Sequence, residues 1–169
     1  LSRRPREEIL KIMKDSHVGA MGVIVCVLHL LAKFALIEAV MSSSLAVIPL
    51  LWIPAFSRWF VVWAIAFWPY AGRPDGYGAM LRYVRPESVV VSSLLLFPIS
   101  FICASLFSFP WMIVKMLFLF AAVTLAAGTL FCQYFHSKLG GLTGDVYGAL
   151  IEMLELALLF ALVAAGRLS

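Results

Sequence analysis

Charge is what this sequence has least of. Charged residues make up 13% of its 169 positions, where a soluble globular domain carries about 25%. Acidic residues are the scarcer sign, nine against thirteen basic ones. So few charges exclude a soluble enzyme, a disordered tail and a DNA-binding module, each of which needs a largely polar or basic surface. Cysteine is also sparse. Cys26, Cys103 and Cys132 each sit inside an apolar run, without a CxxC pair or histidines at ligand spacing, so no zinc or iron–sulfur site is expected. Each reads as a packed residue at lipid depth. Internal repeats and low-complexity segments are missing. The N-terminus is a charged stretch rather than a short apolar run before a small-residue cleavage site, so no signal peptide is expected.

What the sequence has in abundance is apolar surface. Hydrophobic residues are 63% and aromatics 14% of the chain, and the mean hydropathy is +1.01. One core of this size cannot hide so much, and the chain reads as an integral membrane protein. A spanning helix needs about 20 mostly apolar residues. Five runs qualify: 20–41, 46–68 (interrupted by Pro49 and Pro54), 89–107, 111–135 and 146–165. They are continuous rather than alternating, which predicts helices and not a barrel. The expected fold is a single all-α membrane domain over 1–169, with residues 1–19 as a polar or interfacial segment. Within that segment Pro5–Lys14 predicts a short amphipathic helix, with Ile9, Ile12 and Met13 on one stripe. Trp68, Tyr70 and Trp111 suit an interfacial aromatic belt.

Basic residues set the topology. Arg3, Arg4, Arg6, Lys11 and Lys14 precede the first span. Arg73, Arg82 and Arg85 lie between the second and third, and Lys138 between the fourth and fifth. The connections 42–45 and 108–110 carry no charge. With five spans all the charged segments fall on one side, which the positive-inside rule makes cytoplasmic.

That side carries three short polar segments with one aspartate each: Lys14-Asp15-Ser16-His17-Val18-Gly19, Arg73-Pro74-Asp75-Gly76-Tyr77-Gly78 and Gly140-Gly141-Leu142-Thr143-Gly144-Asp145. Each has a plain structural explanation. Asp15 or Ser16 could cap the first span and Thr143 or Asp145 the fifth, and Pro74-Asp75-Gly76 is ordinary turn chemistry. Taken together, carboxylates that suit Mg²⁺, cations that neutralise phosphate oxygens and glycines that let a ligand approach the backbone suit a phosphate-bearing substrate at the cytoplasmic face.

Intramembrane charges are the second clue. Asp145, Glu152 and Glu155 share one stripe of the fifth span. Carboxylates near the bilayer centre should face the bundle or a wet cavity, and Lys33 and Arg58 are their natural partners, either as a structural ion pair or as part of a site. Glu38 and Lys115 lie nearer span ends and can snorkel. His29 and His136 read as structural or interfacial. Gly144 and Gly148 form a small-xxx-small pair, which predicts close helix packing.

Several of these segments resemble one family. Lys11 to Gly22, running Lys11-Ile12-Met13-Lys14-Asp15-Ser16-His17-Val18-Gly19-Ala20-Met21-Gly22, is similar to the IMKDSxxGxxG signature of the cobalamin synthase family, the adenosylcobinamide-GDP ribazoletransferases. Gly140-Gly141-Leu142-Thr143-Gly144-Asp145, continued through Gly148-Ala149 to Glu152, resembles its C-terminal GGxTGDxxGA motif. Pro54-Ala55-Phe56-Ser57-Arg58, and Pro69-Tyr70-Ala71 followed by Arg73-Pro74-Asp75-Gly76 and Gly78, match weaker motifs between them. His17 stands where the family usually has arginine. The family's upstream acidic DGLADTxDG stretch has no counterpart here, so the chain is expected to be a C-terminal part that lacks some of the metal site.

The resemblance implies a Mg²⁺-dependent phosphotransferase of the bacterial inner membrane, multi-pass, with its N-terminus and site on the cytoplasmic side. Its substrates would be adenosylcobinamide-GDP and α-ribazole or its 5′-phosphate, with GMP released at the last step of cobalamin biosynthesis. It implies catalytic roles for Asp15, Lys14 and Asp145, with Asp15 and Asp145 as metal ligands. Arg58 joins Lys14 in neutralising the diphosphate, Arg73 and Asp75 shape the nucleotide end, and Gly141, Gly144 and Glu152 line the substrate site. Lipid is the surrounding partner, nucleic acid is not expected, and a homo-oligomer is left open. Two other readings compete. A CDP-alcohol type phosphotransferase would carry a paired DGxxAR signature that this chain does not have. A transporter would use Glu152, Glu155 and Lys33 as an ion path, against the absence of inverted repeats and the one-sided polar loops.

Overall fold

The computed structural model describes residues 5–13, 15, 17–41, 47–72, 84–105 and 110–168. Six helices follow one another: α1 (Arg6–Ile12), α2 (Ala20–Met41), α3 (Val47–Phe67), α4 (Pro86–Ser105), α5 (Pro110–Leu139) and α6 (Gly144–Leu168). The last five are long and apolar enough to cross a membrane. Among the described residues no strand accompanies them, only an isolated bridge between Tyr70 and Leu142.

Helix ends follow capping chemistry rather than the limits of the apolar runs. α4 starts at Pro86, ahead of the expected 89, because proline is suited to a first helical position and Glu87 faces the positive end of the dipole. α5 starts at Pro110 and continues past the expected 135 to Leu139, with His136 and Lys138 at its negative end. Gly140 stops it. Its φ of 72° is left-handed, and its N–H donates to the His136 carbonyl at 2.8 Å, a glycine C-cap. The 30 residues of α5 span about 45 Å, so it stands clear of an apolar layer about 30 Å thick. α3 runs unbroken with Pro54 inside it. α6 is capped by Thr143, whose Oγ1 accepts the Val146 N–H at 3.4 Å.

α3 is the hub and packs against α4, α5 and α6. Trp52, Ile53, Phe56, Trp59 and Phe60 recur on its buried side at helical spacing. Phe56 is fully buried and meets Trp59, Phe97 and Phe120 edge to face, with ring centroids 6.0, 5.8 and 5.8 Å away. Trp59 Nε1 donates to Ser93 Oγ at 2.9 Å and ties α3 to α4. α5 approaches α3 most closely at Gly128, where a Cβ would fall 2.3 Å from the Phe60 ring. A second apolar cluster, with Leu139, Leu142, Val146 and Leu150, fills the end of the bundle beneath α1. Ile9, Leu10 and Met13 pack on it, whereas Ile12 is exposed. The apolar stripe that α1 packs on the bundle is thus turned by a residue from the expected one, with Leu10 in place of Ile12.

α2 stands apart. Val40 is its one buried residue, and residues 21–28 are exposed on every face. It packs on α6. Of the cysteines, Cys132 is buried, while Cys26 and Cys103 lie on exposed helix faces, and all three are free.

Candidate functional site

The 68–72 turn and the 139–143 loop meet at one end of the bundle. The Ala71 N–H donates to the Leu142 carbonyl at 2.7 Å, and the Leu142 N–H donates to the Pro69 carbonyl at 2.8 Å. These two bonds stitch the 68–72 turn to the 139–143 loop. Gly141 makes the approach feasible, since a Cβ there would lie 2.4 Å from the Pro69 carbonyl oxygen. The space that this glycine opens is taken by the chain's own backbone. The Arg6 guanidinium lies over Gly140, which brings α1 to the same end. Arg85 stands there too, directly before α4.

Asp15 follows α1. Its Oδ1 accepts the His17 N–H at 3.0 Å and lies 2.6 Å from His17 Nδ1. The backbone N–H, and then the ring, hold this exposed carboxyl below the usual carboxylate range. Asp15 is therefore a turn-forming carboxylate and not the cap of α2, whose first turn closes on the Gly19 carbonyl. Asp145 occupies the first turn of α6, where the helix dipole favours a negative charge. With Thr143 as cap, Asp145 is exposed and has no hydrogen bond or ion pair among the described residues. Lys14, Arg73 and Asp75 lie outside the described residues.

Deeper in the bundle α2, α3 and α6 meet through charge. Lys33 Nζ donates to Glu152 Oε2 and to Glu155 Oε2, each at 2.7 Å. Arg58 Nη1 donates to Glu155 Oε1 at 2.9 Å and to the Pro54 carbonyl at 3.0 Å. Ser57 Oγ lies 3.4 Å from Glu155 Oε1, and His29 Nε2 lies 3.2 Å from Glu152 Oε2. Glu155 is largely enclosed, whereas the side chains of Glu152 and Arg58 are 53% and 60% exposed. Counting from Gly144, Glu152 lies about 12 Å and Glu155 about 17 Å along α6, which is membrane depth. Charges there need partners or a wet cavity, and the alternating order Glu152–Lys33–Glu155–Arg58 supplies the partners.

Between this cluster and the polar end α2 and α6 each present exposed residues, 21–28 on α2 and 144, 145, 148 and 149 on α6. Gly148 shares the face of Glu152 one turn earlier, yet among the described residues nothing lies within 4 Å of where its Cβ would be, and the same holds for Gly144 and Gly19. The small-xxx-small pair of α6 therefore marks an open face, not the helix contact expected of it. The contact falls instead at Gly128. We call these two exposed stretches, running from the charge cluster to the polar end, the wedge: the cluster is its apex, and the polar end, where Asp15 precedes α2 and Asp145 opens α6, is its mouth. Its walls are the two sequence segments with the most distinctive motifs.

The structure thus unites Arg58 with Glu152 through Lys33 and Glu155; Asp15, Asp145 and Gly144 are exposed, whereas Gly141 is buried against the 68–72 turn. The cluster also contains His29, which the sequence reading set aside as structural or interfacial. Its signal was the spacing: His29 and Lys33 are four apart on α2 and face Glu152 and Glu155, three apart on α6. Among the described residues no group of three or more His, Cys, Asp or Glu side chains could hold a metal ion by itself. Mg²⁺ commonly takes only one or two protein carboxylates and completes its shell with water and substrate phosphates. The exposed, unpartnered carboxylate of Asp145 and the free Oδ2 of Asp15 are donors of that kind.

A family model described as cobalamin-5-phosphate synthase matches residues 1–163. The chain is similar to proteins named adenosylcobinamide-GDP ribazoletransferase. It is 34% identical to that of Desulfitobacterium hafniense over 94% of this chain and 61% of the relative. It is 33% identical to that of Brevibacillus brevis over 97% and 63%, and 35% identical to that of Desulforamulus reducens over 99% and 63%. The chain spans somewhat over three-fifths of the length of these relatives. No solved structure matches it.

Proposed function

The chain belongs to the cobalamin-5-phosphate synthase family, and from that membership we propose that it carries the wedge-shaped part of the active site of an adenosylcobinamide-GDP ribazoletransferase. The observation that carries this reading is the family match along nearly the whole chain. It favours this transferase over a CDP-alcohol phosphotransferase and over a transporter. In the proposed reaction a ribose hydroxyl of α-ribazole other than the 5′ one, free also when the 5′ position carries a phosphate, loses its proton and its oxygen forms a bond to the phosphorus attached to cobinamide. The anhydride bond to the guanylyl phosphate breaks, and GMP leaves with that electron pair.

Phosphoryl transfer of this kind is mainly positioning and charge stabilisation. The wedge supports both. Asp15 at its mouth orients the attacking hydroxyl, and Arg58 near its apex neutralises diphosphate oxygens. Gly144 and Gly148 leave room against α6 for a bulky substrate, and Glu152 offers its free oxygen to donors on that substrate. Mg²⁺, held by Asp15 and Asp145 together with substrate phosphates, would supply further charge neutralisation. Lys14, Arg73 and Asp75 are proposed to complete the diphosphate and nucleotide contacts. Arg6, Lys11, Arg85 and Lys138 share the end of the bundle that carries the wedge mouth. The positive-inside rule favours the cytoplasmic side of a bacterial inner membrane for that end, where both substrates are available.

The test is GMP release from adenosylcobinamide-GDP and α-ribazole by the protein expressed from its complete reading frame. Asp15→Asn and Asp145→Asn are expected to lower turnover by about 100-fold or more with membrane insertion unchanged. A wild-type protein that inserts but releases no GMP overturns the reading.

A further inference from the structure

Glu155 is the most connected carboxylate of the cluster, and the phosphotransferase chemistry does not itself call for it. Resting on the reading that Arg58 meets the diphosphate, we propose that Glu155 is the positioning residue that holds Arg58 with one edge of its guanidinium free for a phosphate.

The hydrogen-bond pattern carries the argument. A lone carboxylate facing an arginine usually takes two nitrogens side by side. Here it does not: Glu155 Oε2 accepts from Lys33 Nζ at 2.7 Å, and Oε1 alone meets Arg58, at Nη1 and 2.9 Å. The same Nη1 is tied to the Pro54 carbonyl at 3.0 Å, one turn back on α3. One nitrogen is thus fixed at two points, while Nη2 and Nε have no partner among the described residues and the side chain is 60% exposed. An arginine side chain loses much rotamer freedom when it is ordered. Anchoring through Nη1 meets that cost before a ligand arrives. The three N–H groups on Nη2 and Nε, unmet at membrane depth, are unfavourable unless something accepts from them, and a phosphate matches the fork geometry of that edge. Lys33 is part of the device: its bond to Oε2 holds the Glu155 carboxylate in place.

The experiment is a double-mutant cycle on the full-length protein in nanodiscs. The probe is inorganic pyrophosphate, its affinity is measured by titration calorimetry, and the thermal midpoint is recorded for each variant. Arg58→Gln is expected to weaken pyrophosphate binding about tenfold or more, and Glu155→Gln about fivefold. In the Arg58→Gln background Glu155→Gln should weaken it no further, yet should still lower the thermal midpoint, because Lys33 loses its partner in either background. If Glu155→Gln does not accumulate, Glu155→Asp, one methylene shorter, should give a loss of about threefold that also vanishes in the Arg58→Gln background. Equal losses in both backgrounds, an affinity within twofold of wild type for Glu155→Gln, or no binding by the wild type overturns the inference. GMP release on the same preparation judges the transferase reading separately: release without pyrophosphate binding removes the role of Glu155 and leaves the transferase standing.

Discussion

The glycines of the 140–148 stretch look alike in sequence and differ sharply in what surrounds them. Gly141 faces a carbonyl oxygen 2.4 Å from its would-be Cβ, whereas Gly144 faces open space. A backbone atom cannot swing aside as a side chain can, so Gly141→Ala must push the 68–72 turn off the 139–143 loop and disturb both of its hydrogen bonds. The expected cost is about 1–3 kcal/mol, read as a lower unfolding midpoint in detergent. Gly144→Ala should change stability by no more than about 0.5 kcal/mol. If the wedge takes the substrate, Gly144→Ala should lower turnover all the same. A large loss of stability from Gly144→Ala would mean that another element covers that face. Sequence alone could not separate the two glycines. Both sit in one motif that allows close approach, and what approaches is settled by a turn about 70 residues away.

At the scale of helices, the five spans were legible because each is a long, mostly apolar and non-alternating run, and such a run in lipid is helical. Their ends were not, because a helix continues through polar residues such as His136, Ser137 and Lys138 until a glycine stops it. The partnership of Lys33 and Arg58 with the carboxylates of α6 was legible from cost alone, since few other charges lie at that depth to meet. That Lys33 bridges both carboxylates, and that His29 joins it, depends on the rotation of α2 about its axis, which its nearly uniform apolarity does not encode. This rotation has a consequence for stability. α2 has little buried surface, so its attachment depends on the contacts of His29 and Lys33 and on Leu36 and Val40, which pack into the core. Lys33→Met removes the cation that two carboxylates share, at an expected cost of about 3–5 kcal/mol for breaking an enclosed pair. Hydrogen exchange should then rise along α2 and much less in α3 and α5. Adding Glu152→Gln to Lys33→Met should recover part of the loss, because one uncompensated charge disappears with it. Unchanged exchange in α2 would show that apolar contacts alone hold it.

Over the whole molecule, the asymmetry of charge and the asymmetry of structure coincide. The end that bears Arg6, Lys11, Arg85 and Lys138 is also the end that bears the stitched loops and the mouth of the wedge. Each of these cations resists crossing the bilayer, so together they favour keeping that end on the side of synthesis. α5 makes the prediction sharp, because it joins the two ends: Trp111, highly exposed, stands near its start and Lys138 near its finish. In a protein whose own cysteines at 26, 103 and 132 are replaced by alanine or serine, a cysteine at 138 should be labelled by a membrane-impermeant maleimide only in inside-out vesicles. A cysteine at 111 should be labelled only in right-side-out cells. The reverse pattern would put the wedge mouth on the outer face, away from nucleotide substrates. The transferase reading would fail with it, since a diphosphate donor made in the cytoplasm could not reach Asp15 and Asp145.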